Sequence, residues 1–248
     1  MQLDGPQDIV WTASDHERHF QLGANWFVKR QLSAEELPVD RRGRTIWPLW
    51  DTERLRNEYS ATIFIRQHTN VPVQECQLYT IDGLLHFASR RIHGAVQLEY
   101  APEGTKIAAV AAVEEQMNRF IIPQLRRKRR RYIGSVSRFI PVIPPRRIYQ
   151  NDSRQWEQLW SENDVFVYCH NDLSRKNIWL HPENFKIMAI TGWEHAGFFP
   201  HHFELPLWTA SGWDERHAMR KSVLARDLSF FELSPSDLKD STPAACAQ

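Results

Sequence analysis

Cysteine is scarce in this 248-residue chain: Cys76, Cys169 and Cys246 are widely spaced, odd in number and outside any metal-type Cys/His pattern. A disulfide framework is therefore not expected, and the usage fits a reducing compartment. Charge of one sign is also lacking. Lys plus Arg (31) nearly cancel Asp plus Glu (30), so the molecule has no overall field for nucleic acid, and no nucleic-acid partner is expected. The one local exception is the basic run Arg126 to Arg131, read as a solvated turn. Long hydrophobic runs are missing as well: no stretch approaches the roughly 18–20 apolar residues a bilayer span requires. The first ten residues have neither a basic start nor an apolar run of signal-peptide length, so a cytoplasmic address is expected. With 42% hydrophobic residues, the length supports one large domain or two joined lobes without staples.

What is present reads first as sheet. RHFQLGANWFVKRQ, Arg18 to Gln31, places two apolar segments around Gly23-Ala24-Asn25, which predicts a hairpin closing on Lys29. Leu32 to Pro48 is polar and Pro/Gly-punctuated, a surface loop. From Thr52 the spacing of Leu55, Tyr59, Thr62 and Ile63 predicts a helix that carries Glu58. Gln74 to Arg91 contains Asp82-Gly83 between strand-like runs, a second hairpin. After Gly94 the character changes. Ile107, Val110, Ala111, Met117, Ile121 and Leu125 mark a long helix over Thr105 to Leu125, with Pro123 near its end. Ser153 to Trp160 reads as a short helix, and the tail from Leu233 onward as loosely held. Residues 1–92 form the expected N-lobe and 93–248 a mainly helical C-lobe.

The chemistry concentrates in His170-Asn171-Asp172-Leu173-Ser174-Arg175-Lys176-Asn177, followed later by Gly192-Trp193-Glu194. An Asp and an Asn so spaced on a loop between short strands point a carboxylate at a substrate hydroxyl and an amide oxygen at a phosphate-bound Mg²⁺. Lys29 at a strand end and Glu58 on the next helix supply a Lys–Glu pair of the kind that positions nucleotide phosphates. Together with VKR, NEYSATIFIRQHTNVPV, IIPQL, IGSV, HNDLSRKN and AITGWEHAGFFP, these residues resemble the aminoglycoside phosphotransferase family, related to choline kinases, and within it the fungal-type members. The resemblance covers roughly residues 20 to 210. It implies an α+β, protein-kinase-like two-lobed fold, with Lys29 contacting phosphates, Glu58 its partner, Asp172 the base and Asn177 a metal ligand.

The sequence departs from that family at one position of consequence. Gly192 stands where active members carry the Asp that bridges Mg²⁺ to the nucleotide, and glycine offers no ligand atom. Glu194 is the neighbouring substitute. The segment Trp11 to Gln21, which would cover the phosphates, has no glycine and carries Asp15 and Glu17, whose charge would repel them. Aromatic and His residues gather after the loop: Trp193, His195, Phe198, Phe199, Trp208 and Trp213. These suggest an apolar or polycyclic small-molecule ligand in the former acceptor cleft. The favoured expectation is a cofactor-independent enzyme of specialised metabolism, such as a cyclase, with Asp172, His170 and Glu194 catalytic and no cofactor. The alternatives are an ATP- and Mg-dependent small-molecule kinase and a non-catalytic pseudokinase with a protein partner.

Overall fold

A computed structural model of the chain describes residues 3–149, 154–163 and 165–238. Ser153, at the start of the short helix expected from the sequence, Cys246 and the end of the tail lie outside the described residues. Five strands, β1 (Ile9–Ser14), β2 (His19–Gly23), β3 (Trp26–Arg30), β4 (Cys76–Ile81) and β5 (Leu84–Arg90), form one antiparallel sheet in the order β1-β2-β3-β5-β4. Helix α1 (Asp51–His68) packs against it. Both expected hairpins form. In the second, Ile81 pairs with Leu84 and the two turn residues take φ of 50° and 79°, the left-handed pair that Asp-Gly tolerates and that matches strand twist.

Helix α1 buries Leu55, Ala61 and Ile65, but also Arg54, Asn57, Glu58 and Thr62. Its inner face is thus half polar because it lines the cleft as well as the core. Asn57 staples the helix to the other lobe: its amide donates to the carbonyls of Glu194 and Ala196, at 2.9 Å each. Burying an amide is favourable only with such partners.

The second lobe begins with β6 (Val96–Gln97) and continues through α2 (Glu103–Gln116), a π-helical turn at 117–121 and α3 (Ile122–Arg126). The expected single helix is therefore interrupted. Pro123 has no N–H to give, and the wider turn before it accommodates that loss. The expected face is also shifted. Ile107 is 87% exposed, and Ala109, Val113, Met117, Ile121 and Leu125 make the buried stripe. The rest of the lobe comprises β7 (Arg129–Arg130), α4 (Arg146–Tyr149), β8 (Phe166–Cys169), β9 (Ile178–Leu180), β10 (Ile187–Ile190) and β11 (Gly197–Phe199). They form two small sheets, ordered β10-β9-β6 and β11-β8-β7. Residues 154–160 are not helical; Trp156 and Trp160 instead make isolated bridges to Val142 and Tyr132. The basic run is built into the surface of this lobe, with the Arg130 guanidinium 4.4 Å from the centre of the Phe198 ring.

Helix α5 (Trp213–Ser229) closes the cleft on the far side. Only Asp227 and Leu228 are buried along it, so it docks through polar anchors more than through an apolar stripe. The Arg147 guanidinium of α4 donates from Nε to Asp227 at 2.8 Å and from Nη2 to the Phe203 carbonyl at 2.8 Å. Arg226 supplies a second cation to Asp227 at 2.9 Å. No helix among the described residues is long and apolar enough to cross a membrane. Because Asp227 is fully buried, Arg147→Met should lower the unfolding free energy by about 3 kcal/mol in urea titrations, whereas adding Asp227→Leu should restore much of that loss.

Candidate functional site

Two adjoining cavities open between the lobes, with Asp172, Lys176, Glu194 and Arg146 lining both. One, about 750 Å³, lies under the large sheet and contains Lys29 and Glu58. The other, about 670 Å³, runs from Asp172 to α5. In the first, Lys29 of β3 donates to both Glu58 oxygens, at 2.7 and 2.9 Å. Glu58 is almost wholly buried, so the pair is fixed by mutual need.

The loop after β8 is held from three sides. Asn171 takes a left-handed φ of 69° and donates its amide to the His195 carbonyl at 2.7 Å. The Glu204 carboxylate accepts the backbone N–H of His170 and, at 3.2 Å, that of Asn171. The His170 ring spans the loop, bonding the Thr191 carbonyl at 2.9 Å through Nε2 and accepting the Asp172 N–H at 3.2 Å through Nδ1. Both ring nitrogens are thus engaged, and burial lowers the imidazole to about 4. His170, expected from the sequence to be catalytic, is fully buried, lines neither cavity and braces the loop.

Asp172 does face the cavity, but its carboxylate is occupied. Arg220 of α5 donates to Oδ1 at 2.8 Å; Lys176 at 3.2 Å and the Asn177 amide at 3.1 Å reach Oδ2. Burial alone would raise this carboxyl, yet Lys176 and Arg220 outweigh it and hold the group below its usual range. A carboxylate so stabilised is a weak proton acceptor.

The metal position does not fit Mg²⁺. Gly192 has φ 78°, and a Cβ built on it would lie 2.6 Å from Asn177 Oδ1, so the Asn177 amide fills the space that a carboxylate side chain would need. Its Nδ2 donates to the Asp172 carbonyl at 2.8 Å, which fixes the orientation of the amide. Glu194 faces elsewhere, towards Arg54 at 3.6 Å and His195 Nε2 at 3.6 Å. Burial would raise this carboxyl, but Arg54 above all, then His195 and Lys29, pull it far below the ordinary carboxylate value. No group of three or more His, Cys, Asp or Glu placed to hold a metal ion occurs among the described residues.

The turn between β1 and β2 behaves differently from expectation. Glu17 is not a free charge over the cleft. It accepts from Arg54 at 2.8 Å and from Arg146 at 3.0 Å, tying the turn to α1 and α4. Asp15 folds the turn itself, accepting the N–H groups of Glu17 and Arg18 at 2.7 Å each.

The aromatic residues divide into two sets. Phe198, Phe199 and Trp208 are at most 4% exposed and line neither cavity; β11 is packed on both faces, and these rings belong to the core. Trp193 is 1% exposed, its indole donating to the Ile190 carbonyl at 2.8 Å. Trp213 is 65% exposed and lines the second cavity with His195. Burial lowers His195 to about 4, and its Nδ1 has no hydrogen-bond partner. Sequence reasoning missed Arg54, Arg146, Arg220 and Lys221, which lie on stretches where no local motif marks them.

Glu204 is the exception among these carboxyls, since burial raises it to about 7 despite its backbone donors. Its folded-state value lies above the unfolded one, so stability falls as pH rises from about 4.5 to 7. Between pH 5 and 8, Glu204→Gln should gain on the parent by about 1–2 kcal/mol in urea unfolding, and a parallel pair of profiles would contradict this.

No protein-family model matches the sequence, and no curated protein matches it. Solved structures do match. A thermostable mutant of aminoglycoside phosphotransferase APH(4)-Ia, in ternary complex with ADP and hygromycin B, is 14% identical, with 90% of this chain and 80% of that chain covered and a TM-score of 0.50. Aminoglycoside-3'-phosphotransferase of type VIII is 13% identical over 84% of this chain and 88% of that one, with a TM-score of 0.48. At such identities the likeness bears on architecture, and it agrees with the sheet, cleft and loop described above: the chain has the protein-kinase-like, two-lobed α+β fold seen in aminoglycoside phosphotransferases.

Proposed function

We propose that this chain is a divergent protein of the phosphotransferase fold that binds a small molecule in the cleft at Asp172 and acts on it without metal-dependent phosphoryl transfer. The observation that carries the reading is Gly192, whose missing side chain leaves the Asn177 amide in place of a metal-holding carboxylate. Phosphoryl transfer depends on neutralising the phosphates and positioning them, and the metal supplies much of both. The clamp of Arg220 and Lys176 on Asp172 supports the same reading, because a base must be free to take a proton. The chemistry that such a cleft suits is a rearrangement or ring closure, in which the protein holds reacting atoms at near-attack distance. His195, which lines the cavity, is the group we assign to orienting the bound molecule. The lining argues against a wholly apolar ligand, since Phe198, Phe199 and Trp208 are core and charged side chains stand beside Trp213 and His195.

A second reading is favoured by one feature: the Lys29–Glu58 pair is assembled as a nucleotide site requires. In that reading the chain is a small-molecule kinase, Asp172 is its base and Glu194 serves in place of the missing Asp. Titration calorimetry of ATP, with and without Mg²⁺, separates the two. Our proposal expects no gain in affinity on adding Mg²⁺. Magnesium-dependent binding with transfer to an acceptor would sink it, and Asp172→Asn should then abolish that transfer.

A further inference from the structure

The side chains facing the cavity beyond Asp172 are predominantly cationic. Lys176 comes from the loop and Arg220 and Lys221 from α5, while Arg146 of α4 is held by Glu17 at 3.0 Å. Against them stand Asp172 and Glu194, and both are already matched. Asp172 has two cations on one carboxylate, Arg220 at 2.8 Å and Lys176 at 3.2 Å, which leaves positive charge in surplus. Glu194 faces the buried Arg54 at 3.6 Å. Lys221 is exposed and pairs with no acidic side chain among the described residues, adding a further unmatched cation. Beside these charges lies a flat surface: the exposed Trp213 ring is stacked on His217, with centres 5.0 Å apart and planes at 11°.

Clustered guanidinium and ammonium groups in a cleft favour oxyanions, since a guanidinium that spends one N–H on a carboxylate still presents others in a fixed fork. The same cluster repels a polycation. An exposed indole at the rim gives an extended π-surface on which a planar group lies at little entropic cost. From this arrangement we infer that the cavity takes a small molecule carrying an oxyanion, either a carboxylate or a phosphate ester, on a flat conjugated body. The anion meets Arg220, Lys176 and Lys221, and the rings lie on Trp213. This assignment rests on the reading of the cleft as a small-molecule site and names the class of molecule it receives.

The test is titration calorimetry on the full chain without nucleotide or Mg²⁺, using 1-naphthyl phosphate, 1-naphthoate, uncharged 1-naphthol and spermine. At least one anionic probe should bind about tenfold or more tightly than 1-naphthol, and the tighter of the two identifies phosphate or carboxylate as the source. Arg220→Gln combined with Lys221→Ala should close that gap and leave 1-naphthol unchanged. Trp213→Ala, at an exposed position that leaves the fold intact, should weaken charged and uncharged naphthyl probes alike. Equal affinity for 1-naphthol, tighter binding of spermine, no binding by any probe, or a gap that survives the double variant would overturn the assignment. ATP turnover assayed in parallel keeps the two readings apart: magnesium-dependent turnover ends the proposed function while an anion preference stands.

Discussion

The cleft depends on one buried cation. Arg54 is 1% exposed, and burial works against its charge, yet Glu194 and Glu17 hold it protonated. Its Nη1 reaches Glu17 at 2.8 Å and Glu194 at 3.6 Å. Those contacts join three parts of the chain distant in sequence: the turn over the cleft, helix α1 and the segment after β10. Arg146 extends the bridge, because it shares Glu17 from the opposite lobe. An isolated charge in this position would be prohibitively costly, so the three elements are obliged to stay together.

That constraint orders the remaining chemistry. With the turn drawn down onto Arg54, the space under the sheet keeps its Lys29–Glu58 pair but gains a carboxylate-linked strap across its mouth. With Glu194 drawn to Arg54, the cavity at Asp172 is left with little negative charge of its own. The polarity of the two cavities follows from where this one guanidinium recruits its partners. Burial keeps the imidazoles around the loop neutral: His170 and His195 both lie where charging them would require solvent that the packing excludes.

Much of this was legible in the sequence where short-range signals coincide with the structure. Asp82-Gly83 announces its hairpin through backbone permissiveness, and the alternation around Lys29 announces the other. The loop at His170 to Asn177 is readable because a polar run separates two short apolar strands. Three features were not legible. Helix α5 carries almost no apolar stripe and is anchored by Asp227 finding Arg147, 80 residues away along the chain. The strand at Phe198 and Phe199 is buried on both faces, so its rings carry no period that separates a core from a pocket wall. The pairing of Arg220 with Asp172 is a property of tertiary docking, and no local pattern encodes it.

The close approach at Gly192 has a further consequence for substitution at that position. Because the amide of Asn177 occupies the volume next to a backbone in the left-handed region, a side chain at 192 is incompatible with Asn177 as it is placed. A single substitution that supplied a carboxylate there would meet a neighbour already bonded to the Asp172 backbone. A carboxylate at 192 would turn the Asn177 side chain out of its bond to the Asp172 carbonyl, so the change that supplies a ligand atom also loosens the loop that presents Asp172.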